Sequence, residues 1–361
     1  MGRQLGWVWF GGEKFDIYCI PSIQTGGNQF GLIKADSNIL ALKTLGTNPQ
    51  VSYGWYTSAA VGSTIYCISS QGNQFGIIDT KSNTLTLTTL NAPSQGNYSW
   101  LTSAVVGSKI YCIPYLGNQF GIIDTESNTL TLTTLNAPSQ GNYSWLTSAV
   151  VGSKIYCIPY RNTSQNQFGI IDAELNTLTL TTLNADSELF YSWNTSAVVG
   201  SKIYCIPSGP AINSNNAGNQ FGIIDTNSNA LTLTPLGANS QTIYSWVTSV
   251  VVGSKIYCIP YSAKSSFDNE FIDGQNQFGI IDTNSNTLTL TTLGVNSQVN
   301  YRWSTSAVIG SKIYCIPSLA DAGNQFGIID TISNTLTLSD LGVNPQVSYQ
   351  WVSSAAIERP A

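Results

Sequence analysis

Hydrophobic and polar residues alternate along several short segments of this chain. In Thr129–Leu135 threonine and leucine alternate from Thr129 to Thr133, so that every second side chain there falls on the same face. This period of two is typical of a half-buried β-strand. Two segments upstream, Trp100–Val106 and Lys109–Tyr115, are rich in the β-branched and aromatic residues that strands favour. No segment shows the period of an amphipathic helix. The pattern predicts an all-β fold.

Residues that favour tight turns separate these strands. A Gly-Ser pair at 107–108 predicts a two-residue hairpin of the glycine-first kind between the first two strands. A third strand is predicted at Gln119–Asp124, and Thr125–Asn128 forms the turn before Thr129–Leu135. The unit is therefore a meander of four antiparallel strands.

This four-stranded unit recurs along the chain. The stretch Ser82–Tyr115 returns unchanged as Ser127–Tyr160, and looser copies give seven units of 45–57 residues. The distance along the chain from the Trp to the Cys of a unit is always 12 positions. The distance from the Gln of Asn-Gln-Phe to the last residue of the Gly-Ile-Ile-Asp segment is always 5 positions. The distance from that last residue to the next Trp is always 21 positions, whereas the distance from the Cys to the following Gln varies from 7 to 19 positions. All length variation therefore falls in the loop after the second strand.

Seven such units predict a seven-bladed β-propeller of four-stranded antiparallel blades over residues 1–361, with a poorly repeated leader at 1–14. The last Tyr-x-Trp, at 349–351, begins a unit that has a first strand only, whereas the first unit has good later strands in Ile17–Leu45. We therefore expect residues 351–361 to close the ring, with Trp351–Ile357 beside Ile17–Ile20. Closure removes the open ends of an unclosed array.

The variable loops are expected to share one rim with the blade-to-blade connections, because both leave a meander on the same side. We call this rim the variable-loop face. The longest loop, Ser262–Gln275, carries aromatic residues among acids. An exposed apolar loop either folds back on the protein or anchors a partner. These candidate ligand-binding residues are Phe267, Asp268, Glu270, Phe271 and Asp273.

Composition narrows the function classes. Charged residues make up 9% of the chain and the net charge is −5, which argues against nucleic-acid binding. No apolar run is long enough to predict membrane insertion, and the N-terminal residues lack the apolar core of a signal peptide. The seven Cys, one per unit, are odd in number and show no C-x-x-C spacing, so we expect buried free thiols and no metal. A cytoplasmic location is the default expectation.

Catalysis is not predicted. The chain contains no His, which excludes Ser-His-Asp and Cys-His arrangements. A repeated Asp ends the third strand of most units, and we expect it to cap the following turn rather than to bind calcium or transfer protons. We therefore predict a non-enzymatic protein with no catalytic residue and no cofactor.

The repeated aromatic residues have two interpretations. Trp alternates with small apolar residues along its strand and is expected to pack between blades, as is the Phe of Asn-Gln-Phe. The Tyr of Tyr-x-Trp lies one step closer to the connecting loop, where sugars or peptides could stack on it. The candidate ligand-binding tyrosines are Tyr98, Tyr143, Tyr191 and Tyr244.

The segment Lys109-Ile-Tyr-Cys-Ile-Pro, followed by Asn118-Gln-Phe-Gly-Ile-Ile-Asp-Thr-Glu-Ser-Asn-Thr-Leu, resembles the YVTN-type propeller repeat and, more distantly, kelch-type repeats. Cys stands where YVTN-type units usually have Val, and the Asn-Gln-Phe is a further departure. The resemblance implies a propeller, often of a surface or secreted protein, and carries over no catalytic residue.

Two functions remain open. The uneven loops favour a non-catalytic scaffold that binds a protein partner on the variable-loop face. The repeated aromatic and amide side chains favour the alternative, a multivalent, lectin-like sugar-binding propeller. The outer strands, uncharged and free of Pro in most units, also predict self-association through their edges.

Overall fold

A computed structural model describes residues 15–21, 30–43, 55–69, 74–91, 100–117, 119–135, 143–159, 167–183, 193–207, 221–234, 246–261, 277–294, 303–317, 325–340 and 351–359. These residues form antiparallel strands joined by tight turns. No helix that could span a membrane is present in this part of the chain. The leader at 1–14 and the insertion Ser262–Gln275 lie outside it.

The strands of the first half are β1 (Phe15–Pro21), β2 (Phe30–Lys34), β3 (Ile39–Lys43), β4 (Trp55–Val61), β5 (Thr64–Ser69), β6 (Phe75–Asp79), β7 (Thr84–Thr88), β8 (Trp100–Val106), β9 (Lys109–Gly117), β10 (Phe120–Asp124), β11 (Thr129–Thr133), β12 (Tyr143–Val151), β13 (Lys154–Pro159), β14 (Phe168–Asp172) and β15 (Thr177–Thr181). Those of the second half are β16 (Trp193–Val199), β17 (Lys202–Pro207), β18 (Phe221–Asp225), β19 (Ala230–Thr234), β20 (Trp246–Val252), β21 (Lys255–Pro260), β22 (Phe278–Asp282), β23 (Thr287–Thr291), β24 (Trp303–Ile309), β25 (Lys312–Pro317), β26 (Gln325–Asp330), β27 (Thr335–Asp340) and β28 (Trp351–Glu358).

Each group of four strands is one blade, and the seven blades form a ring. Blade 1 has the order β28-β1-β2-β3, and blades 2 to 7 follow in chain order from β4–β7 to β24–β27. A short pairing of β12 with β9, at Tyr143↔Gly117 and Ser144↔Tyr115, also links blades 3 and 4. The predicted seven-bladed propeller of four-stranded antiparallel blades is confirmed.

The predicted ring closure is confirmed as well. Strand β28 runs antiparallel to β1, with Tyr18 opposite Ala355 and Pro21 opposite Trp351. Blade 1 therefore takes its inner strand from the C-terminal end of the chain and its other three strands from the N-terminal part. The two ends of the described chain are held together by strand pairing rather than by a covalent turn.

The predicted strand bounds of blade 3 differ from the observed ones at three ends. Strand β9 continues past the predicted end at Tyr115 to Gly117, and β10 begins at Phe120 rather than at Gln119. The outer strand was expected to reach Leu135, but β11 ends at Thr133. Leu135 adopts the left-handed conformation with φ of 51°, and its N–H donates to Thr133 Oγ1 at 3.0 Å. Its carbonyl accepts a bond from Leu178 N of blade 4 at 3.0 Å, and its side chain is buried. The strict alternation of Thr and Leu also ends at Thr133, because Thr134 follows it, and contact with the neighbouring blade holds Leu135 outside the strand.

The core lies between neighbouring blades, as the Trp and Phe patterns predict. Trp100 is fully buried, with its ring centroid 6.3 Å from that of Phe75 in blade 2. Its Nε1 donates to the Gln119 carbonyl of its own blade at 2.8 Å. A Cβ at Gly121 would lie only 2.5 Å from Trp100 Cη2. Only glycine fits on β10 at this point, because the indole lies directly on the backbone.

A second set of contacts joins the blades near the short turns. Tyr66 Oη of blade 2 donates to Asn128 Oδ1 of blade 3 at 2.6 Å. Asn128 has a φ of 52°, a conformation that Asn tolerates better than most residues. The same Tyr-to-Asn bond recurs around the ring at 2.6–2.9 Å, linking Tyr18–Asn83, Tyr66–Asn128, Tyr111–Asn176, Tyr156–Asn229, Tyr204–Asn286, Tyr257–Asn334 and Tyr314–Asn38.

The repeated Cys and Asp residues have the structural positions that the sequence predicts. All seven Cys are buried free thiols, and burial raises the pKa of each thiol. Asp124 Oδ1 accepts hydrogen bonds from the N–H groups of Glu126 and Ser127, both at 3.0 Å. These bonds lower the pKa of Asp124, because they stabilise its charged form. The Asp caps a turn at the rim opposite the variable-loop face.

Candidate functional site

The ligand-binding candidates chosen from the sequence fall almost entirely outside the described residues. Of the candidate tyrosines, only Tyr143 is among the described residues, and its backbone pairs with that of Gly117 at the start of β12. The binding roles of all nine candidates stay predictions. They are Tyr98, Tyr143, Tyr191, Tyr244, Phe267, Asp268, Glu270, Phe271 and Asp273.

The structure brings another set of residues together at the centre of the variable-loop face. In every blade the register of the inner strand shifts directly after Trp; in blade 3, Trp100 pairs with Pro114 and Thr102 with Ile113. Leu101 lies between them without a ladder partner of its own. Such a bulge re-aims a side chain, and here it directs Leu101 to the wall of the central channel.

The seven residues that follow the inner-strand Trp surround a cavity of about 330 Å³. We call them the channel-mouth ring. The cavity lies at the strand ends from which the variable loops depart. Its wall is completed by Thr57, Ser353 and Tyr261, the last of which follows β21. In blade order the channel-mouth ring consists of Val352, Tyr56, Leu101, Leu146, Asn194, Val247 and Ser304.

The channel-mouth ring has two chemically different sides. Val352, Tyr56, Leu101 and Leu146, from four consecutive blades, form an apolar arc. The remaining three positions form a mixed arc, in which Val247 stands between two polar side chains. Tyr56 is 41% exposed, although it is a large aromatic residue. The hydroxyl of Ser304 in the mixed arc donates to the backbone carbonyl of Trp351 in the neighbouring blade. The mixed arc consists of Asn194, Val247 and Ser304.

Hydroxyl groups join the inner strands immediately below this ring. The Thr two positions after each Trp, replaced by Ser353 in blade 1, pairs with a Ser of a neighbouring blade. The oxygen–oxygen distances are 2.7–3.2 Å, so the hydroxyl pairs form a closed belt around the channel. The belt positions the channel-mouth ring, because it fixes the spacing of all seven inner strands. Its pairs are Thr57–Ser103, Thr102–Ser148, Thr147–Ser196, Thr195–Ser249, Thr248–Ser306, Thr305–Ser354 and Ser353–Ser58.

The cavity wall carries no formal charge among the residues that the structure describes. The repeated Asp side chains lie at the opposite rim and are bonded to turn amides there. Among the described residues, no cluster of His, Cys, Asp and Glu could hold a metal ion.

The sequence contained a signal for this site. The inner strands read Trp-x-Thr-Ser in six blades, and x is the one position of that motif at which the residue type varies. The alternation of side chains along a strand does not reveal a bulge, and it would place residue x on one face of the blade rather than at the channel. A search for variability inside a near-identical repeat would have found the ring.

Comparison with known proteins supports the fold. No protein-family model and no curated protein matches the chain. Among solved structures, a functionally unknown protein from Desulfotomaculum acetoxidans has a TM-score of 0.60 at 15% identity, covering 96% of this chain and 100% of its own. A candidate 6-phosphogluconolactonase from Bacteroides uniformis has a TM-score of 0.60 at 12% identity, with coverages of 96% and 100%. AztD from Citrobacter koseri has a TM-score of 0.56 at 12% identity, with coverages of 96% and 99%. Identities this low concern the fold alone.

Proposed function

We propose that this propeller is a non-catalytic binding protein that holds a protein partner on its variable-loop face, centred on the channel mouth. The observation that carries the proposal is the chemical variety of the channel-mouth ring in a chain whose blades are otherwise nearly identical. A ring of unlike residues makes one asymmetric site per molecule. One asymmetric site with uneven loops around it suits a single large partner better than several small ones.

The non-catalytic part of the proposal is supported by the chemistry of the site. The chain has no His, and the only titratable side chains among the described cavity-lining residues are the phenols of Tyr56 and Tyr261. The side chain used most often for general acid–base catalysis is His, followed by the carboxylates and Lys, and none of these types is among the described cavity-lining residues. The likeness to the candidate 6-phosphogluconolactonase concerns the fold and brings no reacting group to this cavity. The resemblance to YVTN-type repeats is compatible with this proposal, because it implies a propeller and carries over no catalytic residue.

The lectin-like alternative makes a different demand on the structure. A multivalent sugar-binding propeller would present similar sites in several blades. The channel-mouth ring instead differs from blade to blade, and its apolar arc offers few hydrogen bonds to sugar hydroxyls. The ring therefore favours the protein-binding function over multivalent sugar binding, and the test below distinguishes the two.

The test compares two variants on opposite rims. Leu101→Asp with Leu146→Asp places charge in the apolar arc, while Ile332→Asp changes a side chain that is 83% exposed on a short turn of blade 7. Immobilised wild-type protein and both variants would be exposed to cell extract, and proteins that they retain would be identified by mass spectrometry. The best candidate would then be purified and titrated by calorimetry.

We expect one partner per propeller, unchanged binding by Ile332→Asp, and at least a tenfold loss in the double variant, about 1.4 kcal/mol. Thermal unfolding would verify that the double variant is folded. Equal affinity for a folded double variant would overturn the proposal. Binding to a glycan array, followed by a titration that shows several equivalent sugar sites per chain, would favour the lectin-like alternative.

A further inference from the structure

The longest variable loop begins at the wall of the channel-mouth cavity. Strand β21 ends at Pro260, Tyr261 lines the cavity, and β22 does not begin until Phe278. We infer that the connection between these strands is the resident occupant of the cavity in the same chain, with the rings of Phe267 and Phe271 against the apolar arc. The occupancy goes beyond the proposed function. Its consequence, that a partner must displace these rings, rests on the proposed function.

The attachment point keeps this segment within reach of the apolar arc. Blade 6 stands opposite blades 2 and 3 in a seven-bladed ring, so Tyr261 faces the arc across the channel mouth. Phe267 follows Tyr261 by six residues, and a chain of six residues extends up to about 20 Å. That reach exceeds the width of a cavity of about 330 Å³. A group held on a short tether has an effective concentration on the order of millimolar, and a free ligand must compete with it.

The spacing of the two phenylalanines lets both rings face the cavity together. Phe267 and Phe271 are four positions apart, which puts them on one side of an extended segment and also on one side of a helical turn. In an extended segment the intervening Asp268 and Glu270 point the opposite way. Their carboxylates then remain in water and keep their hydration, while the two rings are buried.

The cavity wall suits phenyl rings, which carry no hydrogen-bonding group. Leu101 and Leu146 contribute to the apolar arc from the inner strands of neighbouring blades. The Ser and Thr hydroxyls of the wall have hydrogen-bond partners within the protein, so a ring that covers them leaves none of them without a bond. Large exposed apolar surfaces favour association, and occupancy covers the arc and both rings at once. The hydroxyl bonds are those of Ser304 to the Trp351 carbonyl, Thr57 with Ser103, and Ser353 with Ser58.

Disulfide trapping tests the position of the insertion directly. Phe267→Cys would be combined, in separate chains, with Leu101→Cys, with Leu146→Cys and with Ile332→Cys, the matched control on the opposite rim. A disulfide forms only where two Cα atoms come within about 7 Å, and the seven native Cys are buried and do not compete. Under mild oxidation we expect an intramolecular disulfide to position 101 or 146 and none to position 332.

Two other trapping results would place the insertion elsewhere. A disulfide-linked dimer would show that the insertion enters the cavity of a second copy. A bond from position 267 to Ser214→Cys, in the connection between β17 and β18, without one to the apolar arc would place the insertion on the neighbouring loop. Either result would overturn the inference.

Competition with a free phenyl ring provides a second readout. N-acetyl-phenylalanine amide would be titrated against the full chain, with saturation-transfer NMR to detect binding. Phe267→Ser with Phe271→Ser removes the tethered competitor, so we expect this variant to bind the amide about tenfold more tightly than the wild type. Asp268→Asn with Asp273→Asn changes the same segment but keeps both rings, and it is expected to bind the amide as the wild type does. Equal affinity of the wild type and the Ser variant, or binding to neither, would contradict the inference.

The inference and the proposed function fail separately. With a partner in hand, Phe267→Ser with Phe271→Ser should raise the affinity for the partner, whereas Leu101→Asp with Leu146→Asp should lower it. If trapping and the amide titration give no sign of occupancy while the Asp variant loses the partner, the inference is wrong and the proposed function stands. If trapping succeeds and the Asp variant keeps the partner, the occupancy stands and the proposed function is wrong.

Discussion

Removal of the closing strand β28 should bring the whole ring close to its limit of stability. A chain that ends at Gln350 lacks Trp351, which is 1% exposed, and Ile357, which is 5% exposed. It also leaves β1 as a new open edge, since β1 pairs with β28 from Phe15 to Pro21. The loss is therefore one inter-blade Trp, one buried Ile and a complete strand pairing.

The magnitude follows from the buried area. A buried aromatic side chain removes about 150–250 Å² from water, which at about 25 cal/mol per Å² gives roughly 4–6 kcal/mol for Trp351. Ile357 adds about 1.5–3 kcal/mol. The sum, roughly 5–9 kcal/mol, is comparable with the entire free energy of unfolding of a typical domain, about 5–15 kcal/mol.

Urea denaturation followed by far-UV circular dichroism would measure the effect. We expect the truncated chain to be unfolded or to unfold without a cooperative transition, and a synthetic peptide of residues 351–361 to restore the transition by mass action. A chain that stops after Arg359 keeps β28 and the ion pairs of Arg359 with Asp16 and Asp36, and serves as the control. An unchanged midpoint and slope for the chain ending at Gln350 would refute the reasoning.

Four further predictions test the repeated contacts. Gly121→Ala should lower the free energy of unfolding by about 1–3 kcal/mol, because the new methyl group overlaps Trp100; an unchanged urea midpoint would contradict this. Tyr66→Phe should cost about 1–2 kcal/mol through the lost bond to Asn128, and a double-mutant cycle with Asn128→Ala should give a coupling energy of similar size. Turn amides hold the pKa of Asp124 below its usual value. The charged carboxylate therefore stabilises the folded protein above the unfolded-state pKa of about 3.9, and this stabilisation is lost as the pH falls through the folded-state pKa. Asp124→Asn should therefore reduce the acid sensitivity of the thermal midpoint below about pH 4. The uncharged outer strands should promote self-association at high concentration, and a strictly monomeric sedimentation profile would count against this.

Much of the fold could be predicted from the sequence because each blade repeats the same local chemistry. The inner strand of blade 3 was predicted at Trp100–Val106, and β8 has those bounds. The turns and the ring closure followed from spacings that do not change between units. In these segments the local sequence pattern and the packing between blades favour the same strands and turns, so the structure can be predicted from the sequence.

The candidate site was harder to predict because it depends on interactions between blades. Leu101 faces the channel as a result of a one-residue bulge, which the alternation of side chains does not reveal. Leu135 leaves its strand because the next blade hydrogen-bonds its carbonyl. The hydroxyl belt joins residues 46 to 58 positions apart in six of its pairs and 295 positions apart in the pair Ser58–Ser353, and their proximity exists only in the closed ring.

One charge pair distinguishes blade 1 from blades 3 to 7. In those blades the second strand begins with Lys and lies opposite the Asp that ends the third strand, as Lys109 lies opposite Asp124. Blade 1 has the opposite order, with Asp16 facing Lys34. The inversion puts an acid beside Arg359, whose Nε lies 3.2 Å from Asp16 Oδ1. With Lys at this position, as in the other blades, Arg359 would meet a like charge.

We expect this inversion to act on the choice of partner strand more than on stability. Burial raises the pKa of Asp16 in spite of the nearby Arg359 and Lys34, so desolvation of the carboxylate outweighs their attraction. Buried ion pairs of this kind add little net stability but can specify a register. Strand β28 is similar in sequence to the inner strands of the other blades, and its pairing with β1 is not enforced by a covalent turn. The attraction of Arg359 to Asp16, and its repulsion by the Lys that begins each second strand of blades 3 to 7, favour pairing of the last strand with blade 1.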